Sequence, residues 1–269
     1  LKYIYISYTL SSTGLSIQAD QGFLIVFENV TKSFGKVRAL NSLSMHIPKG
    51  VSGLIGPNGA GKTTSLNLIL GLIRPDSGNI SVFGLDAVKD SLKIRKRIGV
   101  LHEKPYFPPN LTGVEFLRYV SQFYDEEASE DDIIQVLLKV GLDEKVASRQ
   151  IRTFSAGMVQ RLGLAQALLH RAELVILDEP TANLDPLGRI EFTRIVTRIN
   201  KDYGTSFLIS SHILPELEKV CEWVSIIKEG RIADEGSLVN LAERWKVNKK
   251  ENRILESVFE SIFARELKL

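Results

Sequence analysis

The chain has 269 residues, 34 Lys+Arg against 32 Asp+Glu for a net charge of +2, 44% hydrophobic residues and one cysteine. That length buries a full core without staples, and the lone Cys221 excludes a disulfide framework or a cysteine-based zinc knuckle. Near-neutrality excludes a bulk field suited to nucleic acid or an anionic membrane, and no apolar run reaches the ~18 residues of a spanning helix.

In chain order, residues 1–22 are tyrosine-rich, with Lys2 and Asp20 the only other ionisable groups. They lack the basic start, long apolar stretch and small-residue cleavage site of a secretory signal, and with Leu at position 1 they read as a fragment start or a mis-assigned extension. Phe23–Asn29, Leu43–Ile47 and Val51–Ile55 are β-branched or aromatic runs between turn residues, which predicts strands. Helical spacing covers Thr63–Ile73 and stops at the breaker run Arg74-Pro75-Asp76-Ser77-Gly78; Ile98–Leu101 is another short strand.

From Thr112 to Ala172 the pattern is helical almost throughout, with apolar faces in Val114–Phe123, Asp131–Val140 and Met158–Leu169. The acidic cluster Asp125, Glu126, Glu127, Glu130, Asp131, Asp132 reads as a solvated helix start. Strands at Leu174–Leu177, Phe207–Ser210 and Trp223–Ile227 then alternate with helices at Arg189–Asn200 and Pro215–Val220. That alternation predicts an α/β fold with a parallel sheet and helical crossovers. After the polar, basic stretch Lys246–Arg253, residues Ile254, Leu255, Val258, Phe259, Ile262 and Phe263 make a helical stripe. Docking on the chain's own core is its default role, dimerisation the alternative.

The chemistry concentrates in a few segments. Gly56-Pro57-Asn58-Gly59-Ala60-Gly61-Lys62-Thr63 stands between the strand Val51–Ile55 and a helix, which is the placement of a phosphate-binding loop. Its glycines aim backbone N–H groups inward, the helix start adds partial positive charge, Lys62 reaches the β- and γ-phosphates, and Thr63 offers a hydroxyl to Mg²⁺. An accidental match in this length has odds of roughly one in a hundred. Leu174-Val175-Ile176-Leu177 ends in Asp178 and Glu179. Beside a phosphate loop the first carboxylate suits the Mg²⁺ shell and the second an attacking water, whereas alone the pair could be a polar turn before Pro180. Phe154-Ser155-Ala156-Gly157-Met158-Val159-Gln160-Arg161 opens the next helix, with Ser155 a candidate N-cap.

Together these segments resemble the nucleotide-binding subunit of an ATP-binding-cassette transporter, over essentially all of residues 23–240. Phe154–Arg161 resembles the family's signature sequence, Leu177–Asp185 its Walker B strand running into the D-loop, and Ser210-Ser211-His212 its switch histidine. The resemblance implies a P-loop NTPase fold with a RecA-like parallel sheet, an N-terminal antiparallel β portion and an inserted α-helical subdomain. It assigns residues 23–245 to the nucleotide-binding domain, with the helical subdomain at about 104–172, and 246–269 to a linker and amphipathic helix. It further implies a head-to-tail sandwich of two such subunits around ATP.

The roles carried over are these. Glu179 is the general base, and His212, whose plain alternative is a surface residue beside a helix start, stabilises the γ-phosphate. Lys62, with Gly56, Pro57, Asn58, Gly59, Ala60, Gly61, Thr63 and Thr64, binds ATP, and Phe34 stacks on adenine, its alternative being a buried core Phe. Ser155, Ala156, Gly157, Met158 and Asp185 contact the partner's ATP or communicate across the dimer. Thr63, Asp178 and Glu103 hold Mg²⁺.

Two departures stand out. Glu103, after Ile98-Gly99-Val100-Leu101-His102, occupies a position usually held by glutamine, and Ala156 one usually held by glycine. Glu103 keeps a hard oxygen ligand and adds charge; the Ala156 methyl crowds a phosphate contact or is harmless, according to its φ. Lys104-Pro105-Tyr106-Phe107-Pro108-Pro109 is a loop whose aromatics either pack internally or dock a cytoplasmic helix of a separate membrane permease. The block from Gly157 to Leu162 and Glu103 resemble the subgroup serving ABC-2-type exporters of drugs, antibiotics or polysaccharides. The implied location is cytoplasmic, peripheral on the inner face of the membrane through the permease. A cassette acting on nucleic acid or ribosomes would show tandem cassettes, a coiled coil or a basic face, none visible here, so nucleic acid is not an expected partner; a binding-only module would tend to lose Glu179 or His212.

Overall fold

The computed structural model describes residues 22–247 and 253–263. The expectations for residues 1–21, and for the central part of the Lys246–Arg253 stretch, lie outside the described residues.

A six-stranded sheet organises the molecule, in the spatial order β10 (Arg231–Ser237), β9 (Trp223–Lys228), β3 (Val51–Ile55), β8 (Ser206–Ser210), β7 (Leu174–Asp178), β6 (Ile98–Leu101). All neighbours are parallel except the edge pair β10–β9. The inner strands β3, β7 and β8 are largely apolar because both of their faces are covered, whereas the edge strand β10 is polar. In β7, Val175 and Leu177 enter one core while Leu174 and Ile176 enter the other, and β8 divides Phe207 and Ile209 from Leu208 in the same way. Each such fully buried side chain contributes about 1.5–3 kcal/mol relative to exposure.

On one side lies a second, antiparallel sheet, ordered β2 (Val37–Pro48), β1 (Phe23–Phe34), β4 (Ser77–Val82), β5 (Leu85–Asp86), enclosing a core with α1 (Lys62–Ile69) and Ile94 of α2 (Ser91–Arg95). The expected antiparallel β portion is thus present, but β1 and β2 run longer than the predicted Phe23–Asn29 and Leu43–Ile47, pairing from Phe23↔Pro48 to Phe34↔Val37. Helix α1 stops short of the predicted Ile73. Gly71 takes φ +62°, with its N–H donating to Leu68 O and that of Leu72 to Asn67 O, the double bond of a Schellman termination that only a left-handed residue allows.

The other side carries α3 (Gly113–Ser121), α4 (Glu130–Lys139), α5 (Glu144–Ala147), α6 (Ala156–Leu168), α7 (Pro186–Tyr203) and α8 (Leu214–Val220). Thr112 with Glu115 and Ser129 with Asp132 form reciprocal capping boxes at the starts of α3 and α4. Of the predicted acidic helix start, Glu130, Asp131 and Asp132 lie in the first turn of α4, whereas Asp125, Glu126 and Glu127 lie in the connection before it. Helix α10 (Ile254–Phe263) buries Leu255, Val258 and Ile262 and packs on α8 and on α9 (Leu238–Arg244), the default docking expected of its stripe.

Candidate functional site

The predicted residues converge at the carboxyl ends of β3, β7 and β8, where loops leaving parallel strands face one crevice. The phosphate-loop segment leaves β3 at Gly56, where a Cβ would lie 2.3 Å from Ile227 O, so only glycine fits against β9. It enters α1 through Gly61 at φ +114°, where an added Cβ would also meet Ala39 O at 2.8 Å. Pro57, Asn58 and Gly59 are exposed, as is Thr63, while Thr64 is half-buried. Lys62 is buried, and its Nζ donates to Gly56 O at 2.7 Å and Pro57 O at 3.2 Å. Burial pushes its pKa down, against the pull of the nearby Glu179 and Asp178 carboxylates.

Asp178 ends β7 in register with Ser210 of β8, whose hydroxyl donates to Asp178 Oδ1. Glu179 follows at φ +47°, an uncommon conformation for a side chain of this kind, fixed by its N–H donating to Ser210 O at 3.0 Å. This turn aims the Glu179 carboxylate at the segment after β8, where Oε2 lies 2.8 Å from His212 Nδ1. Glu179 is 15% exposed and His212 61%, so the pair has one foot in the protein and one in the crevice.

Glu103 sits just past β6. Its carboxylate is 47% exposed, while its backbone carbonyl accepts from Gln160 Nε2 at 2.9 Å and Asn183 Nδ2 at 3.3 Å. The Glu103 loop is thereby tied both to α6 and to the turn after β7. Phe34, at the tip of the β1–β2 hairpin, is 50% exposed, which disposes of the core alternative. It pairs with Val37, two residues before Ala39, whose carbonyl lies against Gly61.

The structure keeps the remaining residues apart. Ser155 caps α6, its Oγ accepting from Met158 N, and Ser155 and Ala156 are exposed on the helical side, with Gly157 and Met158 half-buried. Asp185 caps α7, its Oδ1 accepting from Gly188 N at 2.6 Å. The two loop aromatics differ sharply: Tyr106 is 85% exposed, but Phe107 is buried with its ring centroid 4.7 Å from that of Phe116. Phe107 is therefore a core residue, and docking through its ring is corrected.

Sequence reasoning missed a polar cluster behind Glu179: Thr181, Arg189 and Glu216, linked by side-chain hydrogen bonds. The available signal was Glu216 in the first turn of α8, four residues after His212.

A family model described as ABC transporter matches residues 40–182. The chain is 40% identical over 222 residues to a bacitracin transport ATP-binding protein of Bacillus licheniformis, covering 82% of this chain and 72% of that protein. It is 40% identical over 210 residues to a lantibiotic transport ATP-binding protein of Streptococcus pyogenes, covering 78% of this chain and 89% of that protein. A solved structure of the ATP-binding subunit of an ABC transporter superposes with a TM-score of 0.76 at 27% identity, covering 89% of this chain and 99% of that one.

Proposed function

This chain belongs to the ABC transporter family, and we propose that it binds and hydrolyses ATP to drive export of a compound through separate membrane-spanning permease subunits. The observation that carries the reading is the Glu179–His212 contact of 2.8 Å at the ends of adjacent strands, beside a loop whose buried Lys62 feels both strand-end carboxylates.

In this reading Gly56 to Thr64 wrap the ATP phosphates with backbone N–H groups and the Lys62 ammonium. Phe34 offers its exposed ring to adenine. Glu179 takes the proton of the attacking water, and His212 holds Glu179 in place and donates toward the γ-phosphate. Mg²⁺ fits the donor set, because the Thr63 hydroxyl and the Asp178 and Glu103 carboxylates are hard oxygens and Asp178 is fixed by Ser210. When bound, the ion neutralises charge on the transferred phosphoryl group.

The start of α6, with Ser155, Ala156, Gly157 and Met158, covers the ATP of a second nucleotide-binding subunit, and Asp185 lies at the same interface. A second copy of this chain is the simplest partner. Similarity to bacitracin and lantibiotic transport ATP-binding proteins supports an antibiotic-type cargo class. In this reading the membrane-spanning permease is touched near the exposed Tyr106; among the described residues no helix is long and apolar enough to cross a membrane. The subunit then sits peripherally on the cytoplasmic face of the membrane.

The test is ATPase activity of the purified chain with and without its permease. Glu179→Gln is expected to lower turnover by about 10²–10⁴-fold, the typical weight of a general base, while nucleotide binding persists. Turnover close to wild type in that variant would refute the assignment.

A further inference from the structure

The turn from Glu179 to Asp185 carries one predicted functional carboxylate at each end, yet few of its own backbone bonds hold it. The Ala182 N–H donates to Glu179 O at 3.3 Å and the Leu184 N–H to Thr181 O at 3.1 Å. Rigidity comes instead from side chains outside the turn. The Thr181 hydroxyl, buried at 5% exposure, donates to Glu216 Oε2 at 2.6 Å, a short charge-assisted bond. The other oxygen of the same carboxylate accepts from Arg189 NH1 at 3.3 Å, and Arg189 Nε donates to Leu184 O at 2.9 Å. One carboxylate thus reaches the turn directly at Thr181 and, through Arg189, at Leu184.

Glu216 lies in the first turn of α8, and the segment leading into that helix carries His212, with Ser211 Oγ accepting from Ile213 N at 3.0 Å. Any shift of α8 therefore moves both the His212 segment and the anchor of the Glu179 turn. Glu179 itself is held at φ +47°, and such a conformation persists only where the surroundings over-determine it.

We propose that Glu216 is a positioning residue for hydrolysis: through Thr181 and Arg189 it braces the turn bearing Glu179 against the segment bearing His212, and so maintains their contact. This rests on the reading of Glu179 as the base. Neither Glu216, Thr181 nor Arg189 touches the reacting atoms in this scheme. Glu216 accepts two charge-assisted donors; a glutamine keeps both contacts only by reversing one, its oxygen accepting from Arg189 and its NH₂ donating to the Thr181 hydroxyl, and it loses the charge that strengthens them.

The experiment measures kcat and KM for ATP in the full chain, alone and with its permease, for Glu216→Ala, Glu216→Gln, Thr181→Val and Thr181→Ser. Loss of the brace is expected to lower kcat by about tenfold or more, because a small misplacement at a reacting centre is costly. KM should stay within about twofold, the split that separates positioning from binding. Thr181→Ser restores turnover because it keeps the hydroxyl, whereas Thr181→Val does not, and Glu216→Gln falls between wild type and Glu216→Ala. Adding Thr181→Val to Glu216→Ala should produce no further loss, the mark of a shared pathway. Thermal unfolding of each variant separates a loss of fold from a loss of turnover, and the Thr181 pair keeps the test open should Glu216→Ala be too unstable to purify. Wild-type kcat in both Glu216→Ala and Thr181→Val, or equal losses in Thr181→Ser and Thr181→Val, would overturn the proposal. Glu179→Gln run in parallel distinguishes the two failures: if it is inactive while Glu216→Ala is normal, only the brace is wrong; if it turns over normally, the base assignment has failed.

Discussion

Tyr106 and Phe107 are neighbours in sequence and opposites in environment, so substituting each with alanine separates packing from docking. Phe107 is 7% exposed, its ring pairs with Phe116 at 4.7 Å and 52°, and its Cζ lies 3.4 Å from the position a Cβ would occupy on Gly163. Truncation leaves a cavity between the Glu103 loop, α3 and α6, a loss of about 3–5 kcal/mol for a buried Phe. At roughly 2–4 °C per kcal/mol for a domain of this size, Phe107→Ala is expected to lower Tm by about 6–20 °C. Tyr106, 85% exposed, has little to lose, and Tyr106→Ala should stay within about 0.5 kcal/mol of wild type. Urea unfolding of the chain alone measures both. ATPase stimulation by the co-reconstituted permease then reads docking: Tyr106→Ala weakens stimulation with basal turnover intact, whereas Phe107→Ala lowers both through instability. Equal destabilisation by the two variants would refute the division, and full stimulation in Tyr106→Ala would remove Tyr106 from the docking surface.

Glu103→Gln should keep ATPase activity within a few-fold, because the loop is tied to Gln160 and Asn183 through its backbone carbonyl rather than its carboxylate; a loss as deep as that of Glu179→Gln would show that the charge itself is needed. The hydrogen bond between His46 Nδ1 and Glu235 at 2.8 Å, aided by the charges of Glu235 and Glu28 and opposed by burial, raises the His46 pKa above its usual 6.5. A raised folded pKa gives stability that is complete below the unfolded value and lost as pH rises through the folded one. Denaturation midpoints should therefore fall more steeply in wild type than in His46→Gln as pH rises above the ordinary histidine value, with an unchanged slope counting against the linkage. Removing residues after Asn252 deletes the buried Leu255, Val258 and Ile262 and uncovers α8, so it should destabilise the monomer without altering sedimentation. Glu218→Ala, which removes the carboxylate accepting from Ile254 N and Leu255 N, should cost about 1 kcal/mol.

The sequence disclosed the central sheet because strands covered on both faces carry concentrated apolar runs: β7 is apolar from Leu174 to Leu177 and β8 from Phe207 to Ile209, with the polar residues at their ends, and β3 has Ser52 as its only polar side chain. The segments it singled out, Gly56–Thr63, Asp178-Glu179 and His212, all stand at strand ends that the sheet brings to one crevice. The misses were polar or terminal. Strand β4, Ser-Gly-Asn-Ile-Ser-Val, begins inside the breaker run, and β10, Arg-Ile-Ala-Asp-Glu-Gly-Ser, is an edge strand that needs no apolar pattern. The end of α1 depended on Gly71 rather than Pro75, a distinction set by backbone conformation. Tyr106 and Phe107 carry equal hydrophobic signals, and only the position of Phe116 decides which one turns inward. The Thr181–Glu216–Arg189 cluster joins positions up to 35 residues apart, a proximity created by the adjacency of β7 and β8.

That adjacency also explains why one chain builds only half of the proposed site well. Neighbouring parallel strands lie about 4.8 Å apart, so residues leaving β3, β7 and β8 are brought within reach of one another by the ladder itself, with Leu54 and Asp178 both in register with Ser210. The loop at Gly56, the carboxylates at Asp178 and Glu179 and the imidazole at His212 therefore share one rigid frame. Ser155 belongs to a different layer: its helix rests on β6, α3, α4 and α7, while α1 rests on β2 and β4. Its exposed start is satisfied locally by its own cap. A contact between that helix start and a nucleotide on the loop is then most simply made between two molecules, each lending its helical layer to the other's rigid crevice, so that closure of the pair depends on the bound triphosphate and ends when the γ-phosphate is cut away.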